Sequence, residues 1–553
     1  MNANVMKACV LGIVLVMLGT VCVVAVPTDA QDAQAPVFQQ IPTGGTWYNA
    51  NSATDLVTEN TYSNFSTITS IDEFKGIGIS NEGGKYHILF KDANVSSFYG
   101  FNITGDVEVY VVGNNTVDVL HDCLINASGP MNIYVGSSSS IDVKVEYLDT
   151  SSGPTNVFNG VPVKVIGKGQ NTSTLRFDCS GADQDRYCVA LNGCDYVGDV
   201  RVEYRYNSEE ITENPSKNVD PNGGIYTYAN MCHKVFMQGY EGLSDNKDPY
   251  NTVITGSTMY VYGAYWALNI DNTVISNSYI DITACDVAIS VKESMAVQNS
   301  TIITRTLWEK AWRDANGTDE NLNHIAAGIS IGSPGNGNDQ NTSTLDIDEY
   351  SSVTTMGIRF YNNSVQNDPN TPNLTNNGNL IINESSFGGY ENGSFAGYGV
   401  MASFVPKEGN SAKLSDFSFV NNGDLAVNAP FYVNAITGEG TQTTATSSFT
   451  NTARMYLNSD FIVELGSDAN NTGTIIYTEN ATGLDDFTTN TGTIQQYQPD
   501  VPSVPSDDDE SLPPFIPQQP TGSDDTTLYI ACCAAAAVVA LLAIIIVMNE
   551  RKR

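Results

Sequence analysis

Three pairs of neighbouring carboxylates are the first candidates for chemistry in this sequence: Asp183 with Asp185, Asp346 with Asp348, and Asp485 with Asp486. Glycosidic hydrolysis needs two carboxyls on one face, roughly 5–10 Å apart. At i and i+2 on a strand, Asp346 and Asp348 would share a face. The chain holds 61 Asp+Glu against 25 Lys+Arg, however, so such pairs are expected by chance and no catalytic residue is assigned. The histidines His87, His121, His233 and His324 are scattered, without a G-x-S-x-G nearby. A lyase would need a basic residue beside acidic calcium ligands; Arg305 and Arg359 are isolated candidates with no flanking signature. Calcium has two candidate stretches, SDNKDP from Ser244 and DIDE from Asp346, neither with EF-hand spacing. No other cofactor is indicated.

Aromatic side chains offer a second kind of site. YVYGAYWALN and TLWEKAWRD bring Tyr260, Tyr262, Trp308 and Trp312 forward as candidates for stacking on sugar rings. Packing of the 308–323 insertion against the rest of the chain is the competing use of those tryptophans.

Net charge −36 excludes nucleic acid as a natural partner. The ends read as addresses. Residues 1–30 form a secretory signal, with the apolar run ACVLGIVLVMLGTVCVVAV. Residues 527–548 contain 21 consecutive uncharged residues, long enough to cross a bilayer as a helix, and the tail 549–553 (NERKR) supplies the positive-inside stop. Between them, residues 499–526 are a Pro/Asp-rich stalk. Six cysteines remain outside these segments, and Cys179 with Cys188 is the nearest plausible disulfide, against the alternative of buried free thiols. Fifteen N-x-[ST] sequons are candidate N-glycosylation sites: Asn64, Asn94, Asn102, Asn114, Asn126, Asn171, Asn299, Asn316, Asn341, Asn362, Asn373, Asn383, Asn392, Asn470 and Asn480.

What must position any site is a repeat. VITGSTMYVYGAYWALNI from Val253 and VISNSYIDITACDVAISV from Val274 align with a constant offset of 21. That offset pairs Ile254 with Ile275, Met259 with Ile280, Val261 with Ile282, Leu268 with Ile289 and Ile270 with Val291. A third copy opens at Val297, and its second half, GISI from Gly328, is delayed by an insertion. Each copy holds short alternating apolar segments broken by Gly, Asn, Asp or Ser, which predicts strands with one buried face. The fold class is therefore all-β: a single parallel β-solenoid with rungs of about 21 residues over 105–498, a less regular cap with the first rungs over 36–104, and one C-terminal transmembrane helix. The near-identical NTSTLRFD (from Asn171) and NTSTLDID (from Asn341) read as the same turn and strand about eight periods apart, with Leu175 and Leu345 inward.

The rung pattern resembles right-handed parallel β-helix proteins of the pectate-lyase-like superfold. The whole chain, leader to stalk to AAAAVVALLAIIIVMNERKR, resembles adhesin-like surface proteins of methanogenic archaea. The resemblance is one of architecture and composition and carries over no residues. The polygalacturonase-type motifs N-T-D and G-H-G do not occur. It implies a membrane-anchored extracellular protein that presents a long acidic rod to surfaces, cells or polysaccharide. The competing expectations are an anchored polysaccharide lyase or glycoside hydrolase, and a structural envelope component.

Overall fold

The computed structural model describes residues 35–50, 57–58, 65–120, 123–146, 155–181, 188–206, 234–238, 251–306, 327–332, 343–361, 371–385, 390–391, 394–395, 397–403, 417–433, 447–463 and 466–497. The chain divides into two compact units, Met1–Tyr497 and Gln498–Arg553. The second unit, which contains the expected stalk and transmembrane helix, lies wholly outside the described residues. Among the described residues no helix is long and apolar enough to cross a membrane.

The described residues of the first unit are almost all β, and nearly all of their strand pairings are parallel. The long strands Thr258–Ser276 and Tyr279–Gln298 show one coil in full. Residues 258–262 pair with 279–283, 266–270 with 287–291, and 272–276 with 294–298, all parallel. One coil therefore visits three faces in turn, here called sheets I, II and III. Ile254 lies beside Ile275, Met259 beside Ile280, Val261 beside Ile282, Leu268 beside Ile289, and Ile270 beside Val291. Those are the five pairs that the 21-residue offset predicts.

Stacking carries each inward residue onto its counterpart one strand spacing away, roughly 4.8 Å. On sheet I a single column runs Ile141, Leu175, Val202, Met259, Ile280, Ile302, Val353, Leu380, Leu425, Met455, Ile475. Every member is fully buried. Each such side chain contributes about 1.5–3 kcal/mol relative to exposure. No coil could bury its inner edge alone; the two neighbours do it.

The coils are closed at both ends. At the N-terminal end Gly76–Glu82 and Lys85–Lys91 form an antiparallel hairpin, and Lys85–Lys91 then pairs in parallel with Val107–Val112. Phe38, Ile41 and Trp47 cover an outward apolar patch on sheet III formed by Leu89, Tyr110, Tyr134, Ile166 and Tyr196. At the C-terminal end a one-turn helix, Leu484–Asp486, leads into Phe487, whose ring stacks on Phe461 at 4.5 Å.

Polar residues enter this interior chiefly as stacks, with Asn115 beside Ile141 an exception bonded to backbone groups. One inward column of sheet III is apolar through Ile254, Ile275, Val297 and Ile347, then switches to Asn376, Asn421, Asn451, Asn471 and Asn490. Each Asn donates Nδ2 to the Oδ1 of the next, at 2.8, 2.7, 2.7 and 2.9 Å. In the apolar part of that column the corner is held by serines instead: the backbone N–H groups of Ser257, Ser278 and Ser300 donate to the hydroxyls of Ser278, Ser300 and Ser351. Asp199, Gly256, Asn277 and Asn299 turn the corner before them with φ of 52°, 56°, 48° and 43°. That left-handed conformation favours Gly, Asn and Asp, which explains the corner composition.

The two NTST phrases are not equivalent. Ser173–Gly181 belongs to sheet I, beside Arg201–Arg205, whereas Thr344–Ile347 belongs to sheet III, beside Asn373–Asn376. Leu175 and Leu345 are both fully buried, but in different columns. The intervening coils vary in length, so a separation of 170 residues is not eight equal periods; the same corner chemistry simply serves two faces.

The Asn ladder makes a testable demand. Asn451→Ala would strip the buried Asn471 Oδ1 of its donor, at about 1–3 kcal/mol, while Asn421 Nδ2 keeps its bonds to the Gly423 and Arg454 carbonyls. Denaturant melts should show this loss, while Asn377→Ala at an exposed corner changes stability by less than about 0.5 kcal/mol.

Candidate functional site

The outward face of sheet I is an open groove of about 930 Å³. Its floor follows directly from the register. One column places Thr116, Asp142, Arg176, Glu203, Tyr260 and Asp281 in successive coils. The next, two residues on, places Asp118, Lys144, Asp178, Arg205, Tyr262, Thr283 and Arg305. Strand alternation sends these residues out while Val143, Phe177, Tyr204 and Val261 point in.

Charges of opposite sign alternate up the floor and pair between coils. Arg176 reaches Asp142 through Nη1 at 2.9 Å and Glu203 through Nε at 2.9 Å. Arg201 donates to Glu203 at 2.5 Å, and Arg305 pairs with Asp281. Burial alone would raise the Glu203 carboxyl, but the bonds from Arg201 and then Arg176 outweigh it and hold Glu203 below the usual carboxylate range. Burial would likewise lower the Arg176 guanidinium, yet Asp142 and Glu203 raise it. Five Lys+Arg and five Asp+Glu line this groove, so it is locally balanced on a chain of net charge −36.

Tyr260 and Tyr262 are among the few exposed large aromatics, at 37% and 41%. The Arg201 guanidinium lies 4.7 Å from the Tyr260 ring centre, and Tyr279 packs beside that ring at 5.8 Å. Tyr260 is thus fixed from two sides. Tyr262 sits next to exposed Arg205 in the adjacent coil. Among the described groove arginines, Arg205 alone has no carboxylate partner. An aromatic face beside an unspent guanidinium, bordered by Asp178 and Thr283, can stack on a sugar ring and hydrogen-bond its substituents.

The other predicted residues fall as follows. Trp308, Trp312, Asp183, Asp185, His121, His233, His324 and the Ser244–Pro249 stretch lie outside the described residues, as do Asn64, Asn316, Asn341, Asn362 and Asn392. Cys179 is buried in the core; Cys188 opens the strand Cys188–Gly198, and its side chain is outside the described set. Asp346 and Asp348 do not form a pair. Asp346 stands in a strand of sheet III, its carboxyl raised by burial against a hydrogen bond from Thr375. Asp348 ends the strand and accepts the N–H groups of Asn299 and Tyr350 and the Ser351 hydroxyl, so its carboxylate holds a corner. Asp485 and Asp486 are exposed in the final helical turn. Arg359 lies on sheet II and donates to Ser330 at 3.1 Å, away from the groove. Among the described residues no three His, Cys, Asp or Glu side chains converge.

His87 belongs to a separate cluster under the N-terminal segment. Glu108 accepts from Tyr110 at 2.6 Å and from Lys85 at 2.9 Å, with His87 Nδ1 at 3.6 Å. Burial lowers the His87 pKa, with Glu108 opposing. Both Glu108 oxygens are occupied and Trp47 packs against the imidazole, so this cluster locks the end of the solenoid.

Arg176, Arg201, Arg205, Glu203 and Asp281 were not singled out by spacing. Their separations follow coil lengths that change with each insertion, so only the register of the apolar columns could have aligned them.

No protein family, curated protein or solved structure matches the chain.

One buried carboxyl outside the groove yields a prediction. Asp195 sits at a bulge, between register pairs Val163–Cys194 and Lys164–Tyr196, and burial pushes its carboxyl up to about 6, only partly offset by Lys164 at 3.7 Å. Between its ordinary value of 3.8 and about 6 the folded state binds the extra proton, so this group's contribution to stability falls as pH rises through that window. Asp195→Asn should therefore raise the melting temperature more at pH 7 than at pH 4.5. An equal gain at both values would rule the ionisation out as the cause.

Proposed function

We propose that this is a secreted, adhesin-like surface protein, anchored by the single C-terminal helix at 527–548, whose right-handed parallel β-helix binds polysaccharide along the groove of sheet I. Right-handedness is the rule for parallel strands joined by crossovers. The observation that carries the binding reading is the pairing of exposed Tyr262 with unspent Arg205, next to a Tyr260 ring braced by Arg201 and Tyr279.

Binding is favoured over cleavage by how the acids are used. A glycosidase requires one carboxyl kept protonated near neutral pH. In this groove Glu203 is held ionised by two arginines, and Asp142 and Asp281 serve as arginine partners. These three arginine-paired carboxylates support a binding surface over a catalytic one. The anchor, the leader and the sequons support an extracellular setting, in which calcium remains an optional ligand.

The experiment is a glycan array with the purified protein, coupled to a turnover assay on every polymer that binds. Binding without cleavage is expected. Chain scission would replace the adhesin reading with the enzymatic one, and lattice formation without binding would support the structural-component reading. Tyr262→Ala and Arg205→Ala should each weaken binding roughly 5–30-fold, as losses of a central interface anchor do. Thr354→Ala, on the same sheet beyond the groove, should leave affinity unchanged.

A further inference from the structure

Ten of the fifteen sequons lie on described residues, and the structure distinguishes them. On the outer face of sheet II four asparagines form a directed stack. Asn192 donates Nδ2 to Asn159 Oδ1 at 2.6 Å, Asn159 to Asn126 at 2.6 Å, and Asn126 to Asn102 at 3.0 Å. Two of the four, Asn126 and Asn102, are sequon asparagines, and their situations are opposite. Asn126 is held at both ends, its nitrogen given to Asn102 and its oxygen taken by Asn159. Asn102 is the terminal acceptor: the stack uses only its oxygen.

The same test separates six more. Asn299 is a left-handed corner residue whose Nδ2 is given to Asn277 at 2.7 Å. Asn480 donates to Asn458, and its sequon hydroxyl, Thr482, is bonded to Asp460. The hydroxyls of Ser173 and Ser385, which complete the sequons of Asn171 and Asn383, are buried at 0% and 1% exposure. At Asn94, Asn102 and Asn114, by contrast, the asparagine and the sequon hydroxyl (Ser96, Thr104, Thr116) are all exposed. Asn114 accepts from Ser140 through Oδ1, which again leaves its nitrogen unspent.

We infer that Asn94, Asn102 and Asn114 carry N-linked oligosaccharide and that Asn126 and Asn299 stay unmodified. Transfer from a polyprenyl-diphosphate-linked oligosaccharide forms the bond from Nδ2 to the anomeric carbon and breaks the bond from that carbon to the diphosphate. The displaced amide proton leaves with the diphosphate. The transferase must swing the amide free and bind the hydroxyl two residues on. At Asn94 no side-chain hydrogen bond opposes this, and at Asn102 and Asn114 only one accepted bond, from Asn126 and Ser140 respectively, must give way. At Asn126 the stack must first be broken on both sides. The sugar at Asn114 would also border the groove, which Thr116 lines.

The inference rests on the extracellular part of the proposed function, but its test does not need the groove to bind anything. The folded full-length protein is incubated with a single-subunit oligosaccharyltransferase and a lipid-linked oligosaccharide, and glycopeptides are quantified by mass spectrometry. A heat-unfolded sample is the reference. Native protein should be modified at Asn94, Asn102 and Asn114, with occupancy at Asn126 and Asn299 at least tenfold lower. Unfolded protein should lose that contrast. Native occupancy of Asn126 equal to that of Asn102, bare Asn94, Asn102 and Asn114 in native protein, or identical patterns in both samples would overturn it. A second measurement separates the two asparagines independently: Asn126→Gln should lower the melting temperature, and Asn102→Asp, which keeps the acceptor oxygen, should not. Equal effects would remove the distinction on which the inference stands.

Discussion

Everything in this fold depends on parallel, in-register stacking. A residue on one coil sits over its counterpart on the next at roughly one strand spacing, so each position must tolerate its own column. Aliphatic residues tolerate it through dispersion and burial. Buried amides tolerate it when each donates to the next, as from Asn376 to Asn490. Charges tolerate it only when their signs alternate, as through Asp142, Arg176 and Glu203.

That rule also explains how a very acidic chain builds a locally balanced groove. Of its 61 acids, those on the sheet I floor are interleaved with arginines because two carboxylates at strand spacing would repel. The interleaving consumes most of the charge internally. Among the described groove arginines only Arg205 is left without a carboxylate partner, and the ring of Tyr262 lies beside it. A ligand docked there would meet a prearranged surface with little ordering cost, since Tyr260 and Arg176 are already fixed by their neighbours.

The solenoid was legible where coils are uninterrupted. An offset of 21 between Val253 and Val291 marked the columns Met259–Ile280 and Leu268–Ile289 because the one slip between them, at Ala264 beside Ala284, is made good before Trp266. Beyond that stretch the period stretches to 22 for Ile280–Ile302 and to 57 for Val202–Met259, and column identity disappears from the sequence. The groove falls partly in that stretched region, so Tyr260 and Tyr262 were visible as aromatics while Arg176 and Arg205 were not. The NTST phrases misled for a related reason. Corners of different faces solve the same turning problem with the same residues, so local identity does not report which face follows.

The two asparagine rows run in opposite senses. The buried row points its N–H groups toward the C-terminal coils, whereas the outer row of sheet II points them toward the N-terminal coils. Each amide is a dipole, and hydrogen bonds in line polarise one another. Each row therefore behaves as a small electret along the coil axis, and their opposed directions act against the build-up of a net axial field. Lengthening either row by inserting a coil adds a dipole to that row, whereas interrupting it leaves two shorter rows with four charged-like ends in place of two. Growth by whole coils at a row's end is electrostatically cheap; a polar substitution in its middle is not.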